Sequence, residues 1–211
     1  MQMREGGTAR RPLSTRQIAY IAVLAAVYVV LGQLVRFIPN PMVPGAIIAL
    51  NMVVVVIAGI LLGPVAGALV GLIGTGVNAI SPAGNAFEVA AIIPHGIMGL
   101  VAGWVGGRVP TIIAALTIIV GHVLNVLVFI LAGLMPANQM TATVFSVGLL
   151  AEVVADIVVI IILVPVLRPL VKGRQAVAPS RRVSLLATLL AIALFLVLAF
   201  VVFAYYAASR I

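Results

Sequence analysis

The sequence contains no cysteine, and only four of its 211 residues are acidic. Without cysteine there can be no disulfide, no thiolate metal site and no cysteine nucleophile. Charged residues make up 8% of the chain, hydrophobic residues make up 64%, and the mean hydropathy is +1.36. A soluble domain of this size needs more polar residues to cover its core. The composition therefore excludes a water-soluble globular protein and predicts an integral membrane protein.

Apolar runs divide the chain into seven candidate transmembrane helices of about the length that a bilayer requires. The predicted spans are 17–35, 45–62, 65–80, 87–105, 111–134, 141–167 and 183–206. We expect an all-α fold, with the first six helices forming one compact bundle and the seventh standing apart as a C-terminal transmembrane helix. The predicted segments are a basic N-terminus (1–16), the six-helix bundle (17–170), a linker (171–182), and the extra helix with its C-terminus (183–211).

The basic residues predict the orientation, because short loops rich in lysine and arginine stay on the cytoplasmic side. With a cytoplasmic N-terminus, the outer side carries only Arg36 and Arg210, and all other Lys and Arg residues lie inside. We therefore expect a multi-pass protein of the cell membrane whose N-terminus and 171–182 linker are cytoplasmic and whose C-terminus is external. The net charge of +8 is explained by this asymmetry and does not indicate a nucleic-acid partner.

Small residues recur every four positions in the predicted helices, a pattern that lets helix backbones approach each other in lipid. One stripe comprises Gly59, Gly63, Gly67 and Gly71, and a second comprises Gly99, Gly103 and Gly107. We expect both stripes to pack inside the molecule. For the pair Ala22 and Ala26 in the first helix, internal packing and a partner surface remain equally open.

Polar residues inside membrane spans are costly and mark functional candidates. Glu88 and His95 share one helix face, as do His122 with Asn125 and Glu152 with Asp156. Counted from the outer ends, Asn85 and Glu88 lie near the surface, His95 and Asn125 roughly 10 Å deep, and His122 and Glu152 roughly 15 Å deep. The predicted substrate-binding residues of this outward-opening cavity are Glu88, His95, Asn125, Glu152, Asn85 and His122. Pairing of His122 with Asp156 is an equally open alternative.

The sequence gives only weak support for metal binding or catalysis. His95, His122, Glu152 and Asp156 offer nitrogen and oxygen ligands for a divalent metal ion, but no HxxxH or ExxH pattern accompanies them. Catalytic motifs and a phosphate-binding loop for ATP are absent from the sequence, so we expect neither an enzyme nor a bound cofactor. Four phenylalanines near the outer ends could wall a cavity, although ordinary packing is the better explanation for them: Phe37, Phe87, Phe129 and Phe145.

The chain resembles the substrate-binding S component of energy-coupling factor (ECF) transporters in three features. These are the basic N-terminus, the segment 18–26 that follows it (IAYIAVLAA), and the segment 58–71 (AGILLGPVAGALVG). The resemblance covers about residues 15–170. It implies a prokaryotic membrane protein that captures a vitamin or a metal ion for a separate energising module, which consists of a T component and two ATPase subunits. It also implies that Ala22 and Ala26 form the surface that docks on the T component.

The ligand is not fixed by the resemblance. Nickel and cobalt members begin with Met-His, whereas Gln2 occupies that position here. With the single tryptophan Trp104 near the cytoplasmic end, the chain also lacks the aromatic-rich pocket expected of thiamine and riboflavin binders. We expect a small polar, nitrogen-bearing vitamin or vitamin precursor. The alternatives are a stand-alone secondary transporter or channel for a small polar solute, and a subunit of a divalent-metal importer.

Overall fold

The structure is a computed structural model that describes residues 13–38, 48–82, 84–135 and 149–171. Every regular element within these ranges is a helix. The helices are α1 (Thr15–Val35), α2 (Met52–Leu62), α3 (Pro64–Ile80), α4 (Ala86–Gly106), α5 (Thr111–Ala115), α6 (Ile118–Leu131) and α7 (Leu149–Val171). The expected all-α fold is confirmed for this part of the chain. The predicted seventh transmembrane helix, 183–206, lies outside the described residues.

Four helical stretches are long and apolar enough to cross a membrane: α1, α4, the α5–α6 stretch Thr111–Leu131, and Glu152–Val171 of α7. The other two helices, α2 and α3, are apolar but have only 11 and 17 residues. Large apolar side chains are exposed along all the long helices, among them Val30, Ile93 and Ile162. These outward faces suit contact with lipid.

Helix α2 forms the centre of the bundle. Ten of its 11 residues are buried, and it packs against α3, α4 and α7. A helix that is apolar on every side is expected in such a position. Its predicted span began at residue 45, but residues 48–51 are not helical and α2 begins at Met52. Within the described residues before α2, Ile48 N donates to Ile38 O at 3.2 Å, beyond the end of α1.

Glycines bring α2, α3 and α4 into backbone contact. A methyl group added at Gly59, Gly67 or Gly103 would lie less than 3.0 Å from backbone atoms of a neighbouring helix. Gly63 joins α2 to α3 with φ of 100°, a conformation that other residues rarely adopt, and Pro64 follows as the first residue of α3. Internal packing of the stripes is thus confirmed, except at Gly107, where an added methyl group would meet nothing within 4 Å.

The predicted fifth span is divided. Helix α5 ends at Ala115, and α6 begins at Ile118 after a short break. Around the break the backbone bonds are of the tighter type, with Leu116 N donating to Ile113 O and Thr117 N donating to Ala114 O, both at 3.2 Å. The Thr117 hydroxyl also donates to Ala114 O, at 2.6 Å. The side chain thus supports the local change of helical type.

One end of the bundle joins the beginning of α1 to the end of α7. Arg16 Nη2 and Tyr20 Oη both donate to the carbonyl oxygen of Leu170, at 3.0 and 2.9 Å. This oxygen is one of the last in α7 and has no acceptor role within its own helix. Arg108 and Arg168 lie at the same end, where Arg168 donates to the Thr111 hydroxyl at 3.3 Å. We call this the basic end of the bundle.

Candidate ligand-binding cavity

A cavity lies at the opposite end, where α2, α4 and α7 begin and α6 ends. Its polar lining residues are Tyr28, Asn51, Asn85, Glu88, His95, His122, Asn125 and Glu152. Its apolar lining residues are Ala49, Phe87, Ala91, Val126, Phe129 and Leu149. All six residues that the sequence predicts for the substrate site belong to the lining. Of the four candidate phenylalanines, Phe87 and Phe129 line the cavity, Phe37 is 73% exposed outside it, and Phe145 lies outside the described residues.

His95 is held by protein groups on both sides of its ring. Its Nδ1 lies 2.8 Å from the Tyr28 hydroxyl and 2.8 Å from the Thr75 hydroxyl. The two hydroxyls also contact each other, with Thr75 donating to Tyr28 at 2.9 Å. On the other side, His95 Nε2 lies 3.0 Å from Asn125 Nδ2. His95 therefore reaches the cavity wall with neither ring nitrogen free of a protein partner.

Tyr28 and Thr75 are the residues of this group that sequence reasoning missed. Tyr28 lies on α1 and Thr75 on α3, and both are fully buried. The available signal was the hydroxyl itself, since a hydroxyl group buried in a membrane span requires a hydrogen-bond partner. The spacing of residues on single helices could not show that both hydroxyls meet His95 of α4.

Asn125 carries a polar atom with no hydrogen-bond partner among the described residues. Its Nδ2 donates toward His95 and also toward Met52 Sδ, at 3.7 Å. Its Oδ1 is buried and accepts no hydrogen bond from the described residues. An unpaired buried carbonyl oxygen costs about 1–3 kcal/mol unless another group donates to it. Since Asn125 lines the cavity, a ligand could supply that donor.

His122 and Asp156 form a buried pair between α6 and α7. His122 Nε2 lies 3.1 Å from Asp156 Oδ2, and both side chains are at least nine-tenths buried. The pairing that the sequence left open is thus observed. Asp156 Oδ1 has no hydrogen-bond partner among the described residues. His122 also lines the cavity. One of its ring nitrogens therefore contacts Asp156 of α7, while the residue forms part of the cavity wall.

Glu152 ties α7 to the residues before α2. Its carboxylate accepts a hydrogen bond from the backbone N–H of Ala49, at 2.5 Å. Ala49 precedes α2, and Glu152 is the fourth residue of α7. Glu152 therefore lies level with the beginning of α2 and lines the cavity. The expected depth of about 15 Å was counted from the outer end of a span that begins at residue 141, and it stays a prediction because residues 136–148 lie outside the described residues.

The rim of the cavity is built by the first turn of α4. Asn85 caps this helix by accepting a hydrogen bond from Glu88 N at 3.1 Å. Between the two residues, Phe87 meets Phe129 of α6 edge to face, with ring centroids 5.0 Å apart. The rim thus combines an aromatic pair with amide and carboxyl groups.

The candidate docking residues lie elsewhere. Ala22 and Ala26 are exposed on α1 and contribute to no wall of the cavity. Within the described ranges, no three His, Asp or Glu side chains are grouped as metal ligands.

Fold and cavity together define a helical membrane protein with a partly polar cavity at one end. A family model described as "ECF-type riboflavin transporter, S component" matches residues 12–172. The chain belongs to this family, and it is therefore a transmembrane subunit of a vitamin transporter and not an enzyme. The expected S-component identity is confirmed. No curated protein and no solved structure matches the chain.

Proposed function

We propose that the chain captures riboflavin, or a vitamin with the same ring system, in the cavity at the outer end of the bundle. The scarcity of aromatic residues in the sequence did not favour this ligand, whereas the description of the family names it. One observation of the structure carries the proposal: the cavity combines the aromatic pair Phe87 and Phe129 with an inner wall of imidazole and amide groups.

A cavity with an aromatic pair on one side and polar groups on its inner wall suits a flavin. The flat tricyclic ring of riboflavin offers apolar faces for contact with Phe87 and Phe129. Its imide edge and its ribityl hydroxyls offer donors and acceptors for polar side chains. Asn125 Oδ1 is buried and has no donor among the described residues, and a donor group of such a ligand would satisfy it. Ligand sites in proteins commonly combine an apolar lining with a few polar groups in this way.

The arginines support an outward-facing cavity. Arg16, Arg108 and Arg168 lie at the basic end of the bundle, whereas Arg36 follows α1 at the cavity end. Under the positive-inside rule, the basic end faces the cytoplasm. This arrangement supports the proposal that the N-terminus lies in the cytoplasm of a prokaryotic cell and that the cavity lies at the outer surface. Residues 183–211, which follow the family match, remain proposed as an accessory helix and an external C-terminus.

We further propose that release into the cell depends on an ECF T component and two ATPase subunits. The sequence lacks a phosphate-binding loop, so the chain has no motif of this kind for ATP hydrolysis. Ala22 and Ala26 are proposed to contact the T component, which is supported by their exposure on α1. The cavity is lined by other residues, so that docking and ligand capture use separate surfaces.

Titration of the purified protein with riboflavin, followed by the fluorescence of the flavin, tests the proposed ligand. We expect saturable binding of one flavin per chain. Phe129→Ala should weaken binding about fivefold or more, because stacking on an aromatic side chain is worth about 1–3 kcal/mol.

Phe37→Ala is the matched control, because Phe37 is exposed and outside the cavity. It should bind riboflavin like the unmodified protein. Absence of saturable binding contradicts the flavin assignment, and equal losses in the two variants contradict the assigned cavity. Mass spectrometry of any small molecule that copurifies with the protein would then identify the ligand class directly.

A further inference from the structure

His95 stands between two sets of groups with different hydrogen-bonding capacity. Two hydroxyls, those of Tyr28 and Thr75, contact Nδ1, and the amide of Asn125 contacts Nε2. Hydroxyl groups can both donate and accept, whereas an amide NH₂ group can only donate. The amide therefore decides which ring nitrogen carries the proton.

Met52 determines how the amide of Asn125 is turned. With Nδ2 toward His95, its second hydrogen points to Met52 Sδ at 3.7 Å, so that both N–H bonds have an acceptor. The reverse orientation would place the carbonyl oxygen against sulfur, which is itself a weak acceptor. Nδ2 thus donates to His95 Nε2, and Nε2 must hold a lone pair.

A lone pair on Nε2 places the proton of the neutral ring on Nδ1. The Nδ1–H group then donates to Thr75 Oγ1, and Thr75 donates to Tyr28 Oη, at 2.8 and 2.9 Å. In this sequence of bonds the Tyr28 oxygen acts as the acceptor for Thr75. On the Nε2 side of the ring, the same pattern leaves Asn125 Oδ1 as an acceptor with no donor in the part of the chain that the structure describes.

We propose that Tyr28, Thr75 and His95 are positioning residues that hold the Asn125 amide with Oδ1 available to the ligand. The cavity then selects at this point a ligand group that donates a hydrogen bond, such as the N–H of a cyclic imide. Residues on α1, α3 and α4 thereby set the specificity of a contact made from α6. The choice of an imide as the ligand group rests on the flavin proposed above, whereas the tautomer of His95 does not.

The tautomer is measured by ¹⁵N NMR of protein labelled at histidine, without any ligand. The chain has two histidines, so that a His122→Phe variant assigns the signals of His95. We expect neutral His95 with its proton on Nδ1. A proton on Nε2, alone or together with one on Nδ1, overturns the proposal, because Nε2 could not then accept from Asn125.

Ligand selectivity is measured with riboflavin and riboflavin methylated at its imide nitrogen. The unmodified protein should prefer the free imide about tenfold or more, because the methyl group removes the donor and leaves Oδ1 unpaired. The double variant Tyr28→Phe/Thr75→Val removes both oxygens that accept from or donate to Nδ1. The proton should move to Nε2, the amide should turn, and the preference should fall to within about threefold.

Tyr20→Phe/Thr117→Val makes the same chemical changes away from the cavity and should keep the preference of the unmodified protein. An unchanged preference in a folded Tyr28→Phe/Thr75→Val protein overturns the proposal. If that variant does not fold, the NMR result on the unmodified protein still decides. If riboflavin does not bind but His95 carries its proton on Nδ1, the flavin assignment fails and the positioning role stands.

Discussion

His122 and Asp156 meet inside the bundle, where both side chains are at least nine-tenths buried. Their contact of 3.1 Å supplies one partner each, and Asp156 Oδ1 accepts nothing from the described residues. Removing one member of a buried pair leaves the other uncompensated, whereas replacing both with apolar residues is often nearly neutral. Comparing single and double substitutions of this pair therefore distinguishes its role in stability from the role of His122 in ligand contact.

Asp156→Leu should therefore lower the free energy of unfolding by about 1–3 kcal/mol, because His122 loses its partner. The double variant His122→Phe/Asp156→Leu should recover most of this loss. Unfolding in detergent, followed by circular dichroism, measures both. Ligand binding should stay weakened in the double variant, because His122 also lines the cavity. A double variant as unstable as Asp156→Leu would contradict the assignment of the pair as a stabilising contact.

At the residue scale, spacing on single helices predicted much of the cavity. Glu88 with His95 and His122 with Asn125 were each placed on one face, and all four line the same cavity. The partners of His95 were not predicted, because Tyr28 and Thr75 lie on two other helices. The bond between Glu152 and Ala49 was also not predicted, because it joins α7 to a residue before α2 that is more than 100 positions away in the sequence.

At the scale of the helices, the glycine contacts between α3 and α4 leave no room for a side chain. A methyl group at Gly99 would lie less than 3.0 Å from backbone atoms of Gly67 and from the side chain of Val55. Backbone atoms cannot move aside without shifting a whole helix. These contacts replace the hydrophobic driving force that is missing between helices in lipid.

Gly99→Ala should lower the free energy of unfolding in detergent by about 1–3 kcal/mol, because the two backbones must separate. Gly76→Ala is the matched control on α3, since a methyl group there would meet nothing within 4 Å. It should leave stability unchanged or raise it by up to about 1 kcal/mol through its helix propensity. Equal effects of the two substitutions would show that the close approach of α3 and α4 contributes nothing.

The bounds of a helix could be predicted where a change in hydropathy marks its ends. Spans α1, α3 and α4 lie within a few residues of their predicted bounds, because polar or Gly-Pro breaks delimit them. The late start of α2 and the break between α5 and α6 were not predicted. Both occur inside apolar runs, where hydrogen bonding by groups such as the Thr117 hydroxyl changes the backbone without changing the hydropathy.

At the scale of the whole molecule, the exposed face of α1 that carries Ala22 and Ala26 is separate from the cavity. Ala22→Leu and Ala26→Leu should abolish copurification with the T component while riboflavin binding stays within about threefold of the unmodified protein. Bulky side chains there would hold two helices apart. Ala155→Leu on α7 is the matched control at another exposed alanine and should copurify normally. Loss of ligand binding in the α1 variants would show that these alanines support the cavity and not a partner surface.

Uptake of riboflavin into proteoliposomes tests the central claim most directly, namely that the chain captures its ligand and depends on other subunits for its release. Vesicles that contain only this chain should bind riboflavin at the outer surface and accumulate none, with or without a proton or sodium gradient. Addition of the T component, the two ATPase subunits and ATP should produce accumulation. Accumulation by the chain alone, driven by an ion gradient, would contradict the account and identify a stand-alone secondary transporter.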